Sequence, residues 1–250
     1  MKILVLPDVQ AKSGNDFGFL TSVGNYIISK KPDVIVCIGD FSDMESLSSY
    51  DKGMKSFEGR SYQKDIWAAR DAMDALMKPI YDYNTTQKRQ KQKPYKPRMV
   101  LTLGNHEDRI DRVINSDRKL EGLISTEDLP YQDWEVYPFL EVVVIEGIAF
   151  SHFFAGGAMG RPIGTAQALL SKMHMSCVAG HQQGRQIAFA KRADGKGMTS
   201  LIIGSCYEHD ENYMGVQGNQ HWRGLYLLHN CKDGSFDECA VPLNYITENY

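Results

Sequence analysis

Short apolar runs alternate with a helical pattern at the start of the chain. Residues 2–6 and 33–38 are nearly continuous runs of Ile, Leu and Val, which is typical of strands buried on both faces. Between them, apolar residues recur at helical spacing over 17–30, with Asp16 as the expected N-cap and Pro32 as the stop. This order predicts two parallel strands joined by a right-handed helical crossover.

The pattern continues with a long amphipathic stretch and a third strand. Apolar residues at helical spacing predict a helix over 63–81, and the run at 99–103 predicts another buried strand. The polar and basic segment 87–96 between them, which contains Pro94, is expected to be a surface loop. A further helix is predicted over 107–114.

After Trp134 the sequence contains several patterns that are typical of β-hairpins. A hairpin is predicted over 141–151, and two more have Asp-Gly turns, joining 185–190 to 198–203 and 225–229 to 238–243. A helix at 164–173 and a strand at 176–179 complete the prediction. We therefore expect an α/β fold in which two sheets pack as a sandwich flanked by helices, in a single domain spanning residues 1–250.

Composition narrows the classes of partner and compartment. The 250 residues are 42% hydrophobic, which suffices for a large core, and the net charge of −3 gives no overall field for nucleic acid. Five cysteines without a CxxC pair favour reduced thiols. No signal peptide or membrane-length apolar run is visible. We expect a cytoplasmic protein without membrane contact.

Polar residues of one kind follow the predicted strands. Because carboxyl ends of parallel strands meet at one sheet edge, these residues should converge although they are far apart in sequence. Each alone has a bland explanation, such as a turn or a core histidine, but the repetition at five strand ends favours a metal site built from oxygen and imidazole ligands. The residues are Asp8, Gln10, Asp40, Asn105, His106, His152, His181 and Gln183.

These motifs resemble those of the calcineurin-like metallophosphoesterases. The family pattern is Asp-x-His, Gly-Asp, Gly-Asn-His, a single His and Gly-His-x-His. The matching stretches here are Asp8-Val9-Gln10, Gly39-Asp40, Gly104-Asn105-His106, His152 and Gly180-His181-Gln182-Gln183. The resemblance covers roughly residues 1–190. The whole chain also resembles members carried by tailed bacteriophages, and a phage-borne gene would place the protein in the cytoplasm of a bacterial host. It implies the family's two-sheet sandwich with flanking helices.

The resemblance also implies roles for the residues. Asp40 would bridge two divalent ions. Asn105, His152 and His181 would complete one site, and Asp8, Gln10 and Gln183 the other. His106 would stay off the metal and protonate the leaving oxygen while a metal-bound hydroxide attacks phosphorus.

Two family histidines are replaced by glutamine, at positions 10 and 183, and both fall in the same metal site. A glutamine can still offer its amide oxygen. Neutral oxygens in place of imidazoles should favour Mn²⁺ or Mg²⁺ over Zn²⁺ or iron and weaken the second site. The alternative is a site that no longer holds metal.

We therefore expect a metal-dependent phosphoric ester hydrolase, most readily a phosphodiesterase acting on nucleic acid or a nucleotide. A phosphomonoesterase acting on protein or nucleotide is one alternative. A non-catalytic binding module with a degraded metal site is the other, and the retained His106 argues against it.

Several residues outside the motifs have open interpretations. Arg109 and Arg185 could reach a substrate phosphate, but Arg109 could equally pair with a carboxylate on its own helix, and Arg185 could be solvated. His209 could be a ligand, part of the cleft rim or a loop residue, and Trp222 a base-stacking or core residue. The basic cluster in 88–96 could follow a nucleic-acid backbone or be a solvated loop.

Overall fold

The computed structural model describes residues 1–49, 53, 57–211 and 214–250. The helices are α1 (Gly18–Lys30), α2 (Tyr62–Arg89), α3 (Arg109–Ser116), α4 (Ala166–Met173), α5 (Gly215–Gly218) and α6 (Leu243–Asn249). The strands are β1 (Ile3–Leu6), β2 (Val34–Cys37), β3 (Arg98–Thr102), β4 (Glu135–Tyr137), β5 (Val143–Ile145), β6 (Ile148–Ser151), β7 (Ala155–Gly156), β8 (Arg161–Pro162), β9 (Cys177–Ala179), β10 (Arg185–Lys191), β11 (Gly197–Ile203), β12 (Gly224–Lys232) and β13 (Ser235–Pro242).

The predicted βαβ unit starts a six-stranded sheet with the order β13-β12-β1-β2-β3-β4. β1 pairs with β2 in parallel, and β3 and β4 continue the parallel run. The hairpin β12–β13 adds to the other side through an antiparallel pair with β1. Every residue of β1 and β2 is buried, as continuous apolar runs require.

A second sheet has five strands in the order β10-β11-β9-β6-β5. The predicted hairpins β5–β6 and β10–β11 are confirmed as antiparallel pairs. β6, β9 and β11 run parallel to one another. Short strands β7 and β8 form a separate pair.

The sheets pack face to face, and helices cover their outer faces. The core between the sheets joins residues of both, such as Val5 and Val36 from the first and Phe150 and Leu201 from the second. On the outside of the first sheet, α1, α2 and α6 contribute a second core. Against the second sheet, α4 contributes Leu169 and Leu170. The predicted α/β sandwich with flanking helices is confirmed.

Several element bounds differ from the sequence predictions. Helix α2 continues to Arg89, so Lys88 and Arg89 belong to its last turn and only the rest of the basic segment is a loop. Many side chains in this extension are polar, so it lacks the apolar periodicity that marked the first part. α1 is preceded by Phe17 as N-cap, and Asp16 instead accepts a hydrogen bond from the Gly18 N–H (3.0 Å).

The topology gathers the carboxyl ends of five strands on one edge of the sandwich. β1, β2 and β3 leave the first sheet there, and β6 and β9 leave the second in the same sense, as their parallel registers require. The two sheets are joined at this edge, because the Cys206 N–H, which follows β11 of the second sheet, donates to the carbonyl of Asp8, which follows β1 of the first. None of the described helices is both long and apolar enough to span a membrane.

Candidate metal centre

Three predicted ligands from three strand exits meet at this edge. Asp40, His152 and His181 each offer one ligand atom, and these atoms lie within 4.8 Å of one another. Asp40 follows β2, His152 follows β6 and His181 follows β9. A carboxylate and two imidazoles at this spacing form a suitable donor set for one divalent ion.

The ring of His152 is fixed in orientation by the neighbouring sheet. Its Nδ1 lies 2.9 Å from the carbonyl oxygen of Ile38, so Nδ1 carries the proton and donates it. Nε2 therefore faces the cluster, 3.2 Å from Asp40 Oδ2 and 3.0 Å from Asn105 Oδ1. Histidine ligands are commonly held in this way through their second nitrogen. Asn105 thus lies where the sequence predicted, beside His152.

The backbone approaches so closely here that glycine is required. A Cβ on Gly104 would lie 2.1 Å from Asp40 Oδ1, and one on Gly180 would lie 2.6 Å from Asp8 Oδ1. Gly39 has φ +93°, and its Cβ would touch the ring of His152. The glycines that precede the polar residues in the sequence therefore make room for the carboxylates and the imidazole.

A buried carboxylate that sequence reasoning missed holds two of these exits together. Glu107 Oε2 accepts the N–H groups of Asp40 (3.0 Å) and Gly104 (2.8 Å). Its Oε1 accepts the N–H of Ser42 (2.9 Å) and the hydroxyl of Tyr131 (3.1 Å). Glu107 is fully buried, so these four donors satisfy it in place of water.

The burial of the cluster shifts the pKa values of its members in opposite directions. Burial, together with the neighbouring His152, lowers the pKa of His181 to about 4, which keeps its imidazole neutral and able to ligate. Burial would lower the pKa of His152, but the charge of Asp40 outweighs it and raises the pKa to about 9. Burial would raise the pKa of Asp40, but His106 and His152 hold it well below its usual range.

The second predicted site contains buried oxygens that lack partners. Asp8 Oδ2 and Gln10 Oε1 are both buried, and neither has a hydrogen-bond partner among the described residues. Burial, with the charge of Asp40, raises the pKa of Asp8 to about 7. Unpaired buried oxygens are costly and are compensated by a bound cation. These residues therefore fit the group that the motifs imply.

Gln183, which the motifs assign to the same site as Asp8 and Gln10, lies at the same edge and has a hydrogen-bond partner. It is 5% exposed, and its Oε1 accepts a hydrogen bond from the Tyr207 hydroxyl at 2.8 Å. That oxygen therefore already accepts one hydrogen bond, and an amide oxygen has two lone pairs.

His106 lies beside this cluster within a network of charged groups. Its Nδ1 donates to Asp43 Oδ1 (2.7 Å) and its Nε2 is 3.7 Å from Asp40 Oδ2. Burial would lower the pKa of His106, but Asp40 and Asp43 outweigh it and raise the pKa above its usual value. The raised pKa favours the imidazolium form, which is the form that a proton donor needs. Asp43, absent from the predicted set, is the residue that orients the ring.

Arg109 completes this network and faces the cleft. Its Nη1 donates to the Asp43 carbonyl (2.7 Å) and pairs with its carboxylate (3.2 Å), while Nη2 is 3.2 Å from His106 Nε2. The alternative in which it pairs with a carboxylate of its own helix is thus replaced by a pair with Asp43, which precedes α3 by many residues.

A cleft of about 880 Å³ opens over the cluster. Its described lining includes the candidate ligands Gln10, Asp40, Asn105, His181 and Gln183. Farther out, its walls carry ion pairs between Lys12 and Glu211 (2.8 Å) and between Arg60 and Glu45 (3.2 Å).

Other residues singled out in the sequence lie away from the cluster. Arg185 is absent from the described cleft lining, and its Nε donates to the Tyr226 hydroxyl (2.7 Å) while its guanidinium stacks over Trp222. Trp222 is half-buried against the inter-sheet core, in agreement with a packing role. His209 pairs with Glu211 on the cleft wall, and residues 212–213 of that stretch lie outside the described residues.

Comparison with known proteins identifies the family. The sequence profile of the family described as calcineurin-like phosphoesterase matches residues 1–188, about three quarters of the chain. The chain belongs to the calcineurin-like phosphoesterases.

Other comparisons add little to this assignment. One solved crystal structure aligns over 97% of this chain and 98% of its own, with 8% sequence identity and a TM-score of 0.41, a likeness too low to carry an argument. No curated protein matches. Family membership makes this chain a metal-dependent phosphoric ester hydrolase, and the cluster of Asp40, His152 and His181 is the possible metal-binding site of the phosphoesterase.

The metal content of purified variants tests the first set of ligands. We expect His181→Ala and Asn105→Ala to lose most of the metal that wild-type protein retains, because each removes one donor from a cluster with few alternatives. Inductively coupled plasma mass spectrometry after desalting measures the content. Gln182→Ala is the control, since the Gln182 amide donates to the Ile163 carbonyl. Full occupancy in both ligand variants would contradict the assignment.

The role of Glu107 is tested by an isosteric change. Glu107→Gln replaces one acceptor oxygen by an NH₂ group that faces donors, so we expect the free energy of unfolding to fall by about 1–3 kcal/mol. Urea denaturation of metal-free protein measures the change. Glu141→Gln, at an exposed position, is the matched control and should be neutral. Equal stabilities of both variants would show that Glu107 does not hold the strand exits.

Proposed function

We propose that this protein is a phosphodiesterase that uses two divalent ions, with Mn²⁺ or Mg²⁺ favoured. The observation that carries the proposal is the convergence of Asp40, His152 and His181 beside His106, whose ring is oriented by Asp43. When bound, such ions lower the pKa of water and offset charge on phosphoryl oxygens.

The ligand assignment of the proposal is the one that the family motifs imply. Asn105, His152 and His181 would hold one ion with Asp40, and Asp8, Gln10 and Gln183 would hold the other with the same Asp40. The second set consists of carboxylate and amide oxygens alone, which are the donors that Mn²⁺ and Mg²⁺ accept. The pair of unpartnered oxygens on Asp8 and Gln10 supports this second site.

His106 and its neighbours supply the chemistry of the leaving group. With Nδ1 bound to Asp43, the ring presents Nε2 to the cleft, where it can give its proton to the departing oxygen. Arg109 lies adjacent to Nε2, and because its guanidinium always carries a positive charge it offsets negative charge on the phosphate.

The shape and charge of the cleft favour small diesters over nucleic acid. Lys12, Arg60 and Arg109 are each paired with a carboxylate, so these three cations of the described wall give no strong positive field for a long polyanion. The basic segment 88–96 begins in the last turn of α2 and continues past it, about 40 Å along the helix from the end at which Lys64 lines the cleft. It leads to the amino end of β3, opposite the cluster.

A nucleotide-sized diester is therefore the proposed substrate class. The cleft volume of about 880 Å³ accommodates groups on both sides of the phosphorus. A phosphomonoesterase is the second candidate, and the observation that favours it is the guanidinium of Arg109 beside His106, which suits a terminal phosphate dianion.

Hydrolysis of two chromogenic esters separates these activities. We expect turnover of bis-p-nitrophenyl phosphate with Mn²⁺ to exceed that of p-nitrophenyl phosphate, because the cleft extends to both sides of the site. Parallel assays with Mg²⁺, Ni²⁺ and Zn²⁺ give the metal preference. Faster turnover of the monoester would favour the phosphomonoesterase, and no turnover of either would favour the non-catalytic binding module.

The proton donor is tested separately from metal binding. We expect His106→Ala to retain its metal content and to lose about 10²–10⁴-fold in kcat on a nucleotide diester with an alkoxide leaving group, because that oxygen must depart without a proton. The loss should be smaller on bis-p-nitrophenyl phosphate, whose leaving group is more acidic. An unchanged kcat, or an equal loss on both esters, would remove this role from His106.

A further inference from the structure

A sixth strand exit, outside the stretch that matches the family profile, reaches the same edge. β11 runs parallel to β9, and the chain leaves it through Gly204, whose φ of +74° and close contact with Trp222 turn the backbone. The Cys206 N–H then donates to the Asp8 carbonyl at 2.7 Å. This places Tyr207, which is fully buried, directly behind the second set of candidate ligands.

The hydroxyl of Tyr207 contacts one of those ligands directly. It donates a hydrogen bond to Gln183 Oε1 at 2.8 Å. The ring itself is held by its neighbours, since His209 stacks on it with centroids 4.4 Å apart and Arg223 lies 5.4 Å from its centre. A hydroxyl on a ring fixed in this way has a fixed position, and so does the amide that it contacts.

A glutamine ligand has a difficulty that a histidine ligand lacks. Its amide can present either an oxygen, which binds a cation, or an NH₂ group, which repels one. A donor bound to the oxygen fixes which end of the amide lies where, and an amide oxygen has two lone pairs. The Ile38 carbonyl orients the ring of His152 in the corresponding way, because it accepts a hydrogen bond from Nδ1.

We infer that Tyr207 is a positioning residue that orients the Gln183 amide toward the second metal ion. The inference rests on the proposed function, because it assumes that this ion is bound there. It extends the metal centre to a residue beyond position 188, where the family profile ends.

Manganese titration tests the inference without measuring activity. Isothermal titration of metal-free protein with Mn²⁺ should resolve a tight and a weak class of site in the wild type. We expect Tyr207→Phe to weaken the weak class about 10–100-fold and leave the tight class unchanged, because Gln183 loses the hydroxyl that binds its oxygen while the first set of ligands keeps its contacts. Gln183→Ala should weaken the same class.

Two comparisons separate positioning from general structural damage. The matched control is Tyr226→Phe, which removes another fully buried hydroxyl, bound to Arg185, and should leave both classes intact. In the double variant of Tyr207→Phe with Gln183→Ala, the weak class should bind as in Gln183→Ala alone, since no amide remains to be oriented.

The outcomes distinguish failure of the inference from failure of the proposed function. Two classes in the wild type, with the weak class unaltered by Tyr207→Phe or equally weakened by Tyr226→Phe, would overturn the positioning role alone. Additive losses in the double variant would also overturn it. A single class in the wild type would overturn the two-ion proposal and the positioning role with it.

Discussion

The geometry of the metal centre depends on one buried carboxylate that accepts backbone N–H groups from separate strand exits. Glu107 binds the amides of Asp40 and Ser42 after β2 and of Gly104 after β3, so these loops cannot move independently. Asp40 in turn accepts the N–H of His106 at 2.9 Å. Since each loop end is tied to the next, the backbone at Asp40 and at His106 is held in one arrangement.

The same arrangement concentrates negative charge in a place that water does not reach. Asp8, Asp40 and Glu107 are all buried, and each carboxylate makes ionisation of the next one less favourable. Burial together with this charge raises the pKa of Asp8, and the charge of Asp40 raises the pKa of His152 against the effect of burial. A pair of divalent cations would relieve it more completely, because they would also engage the unpartnered oxygens of Asp8 and Gln10.

Much of the fold and of the first ligand set could be predicted from the sequence, because both leave local signals. Buried strands appear as apolar runs, and their exits appear as glycine followed by a polar residue. Asp43, Glu107 and Tyr207 give no such signal, since their roles come from contacts with residues up to 67 positions away. The three-residue strand β4 and the polar extension of α2 were missed because neither has enough apolar periodicity to register.

The two sets of candidate ligands differ in what fixes the orientation of their side chains. In the first set the backbone fixes the ligands, because the Ile38 carbonyl binds the ring of His152 and His181 lies two residues after the end of β9. In the second set, glutamines stand at positions 10 and 183, and an amide needs a partner to select its oxygen. Gln183 has that partner in Tyr207, whereas Gln10 Oε1 has none among the described residues. With an amide in place of an imidazole at position 183, the orientation of the proposed ligand therefore depends on a residue from another strand exit, Tyr207.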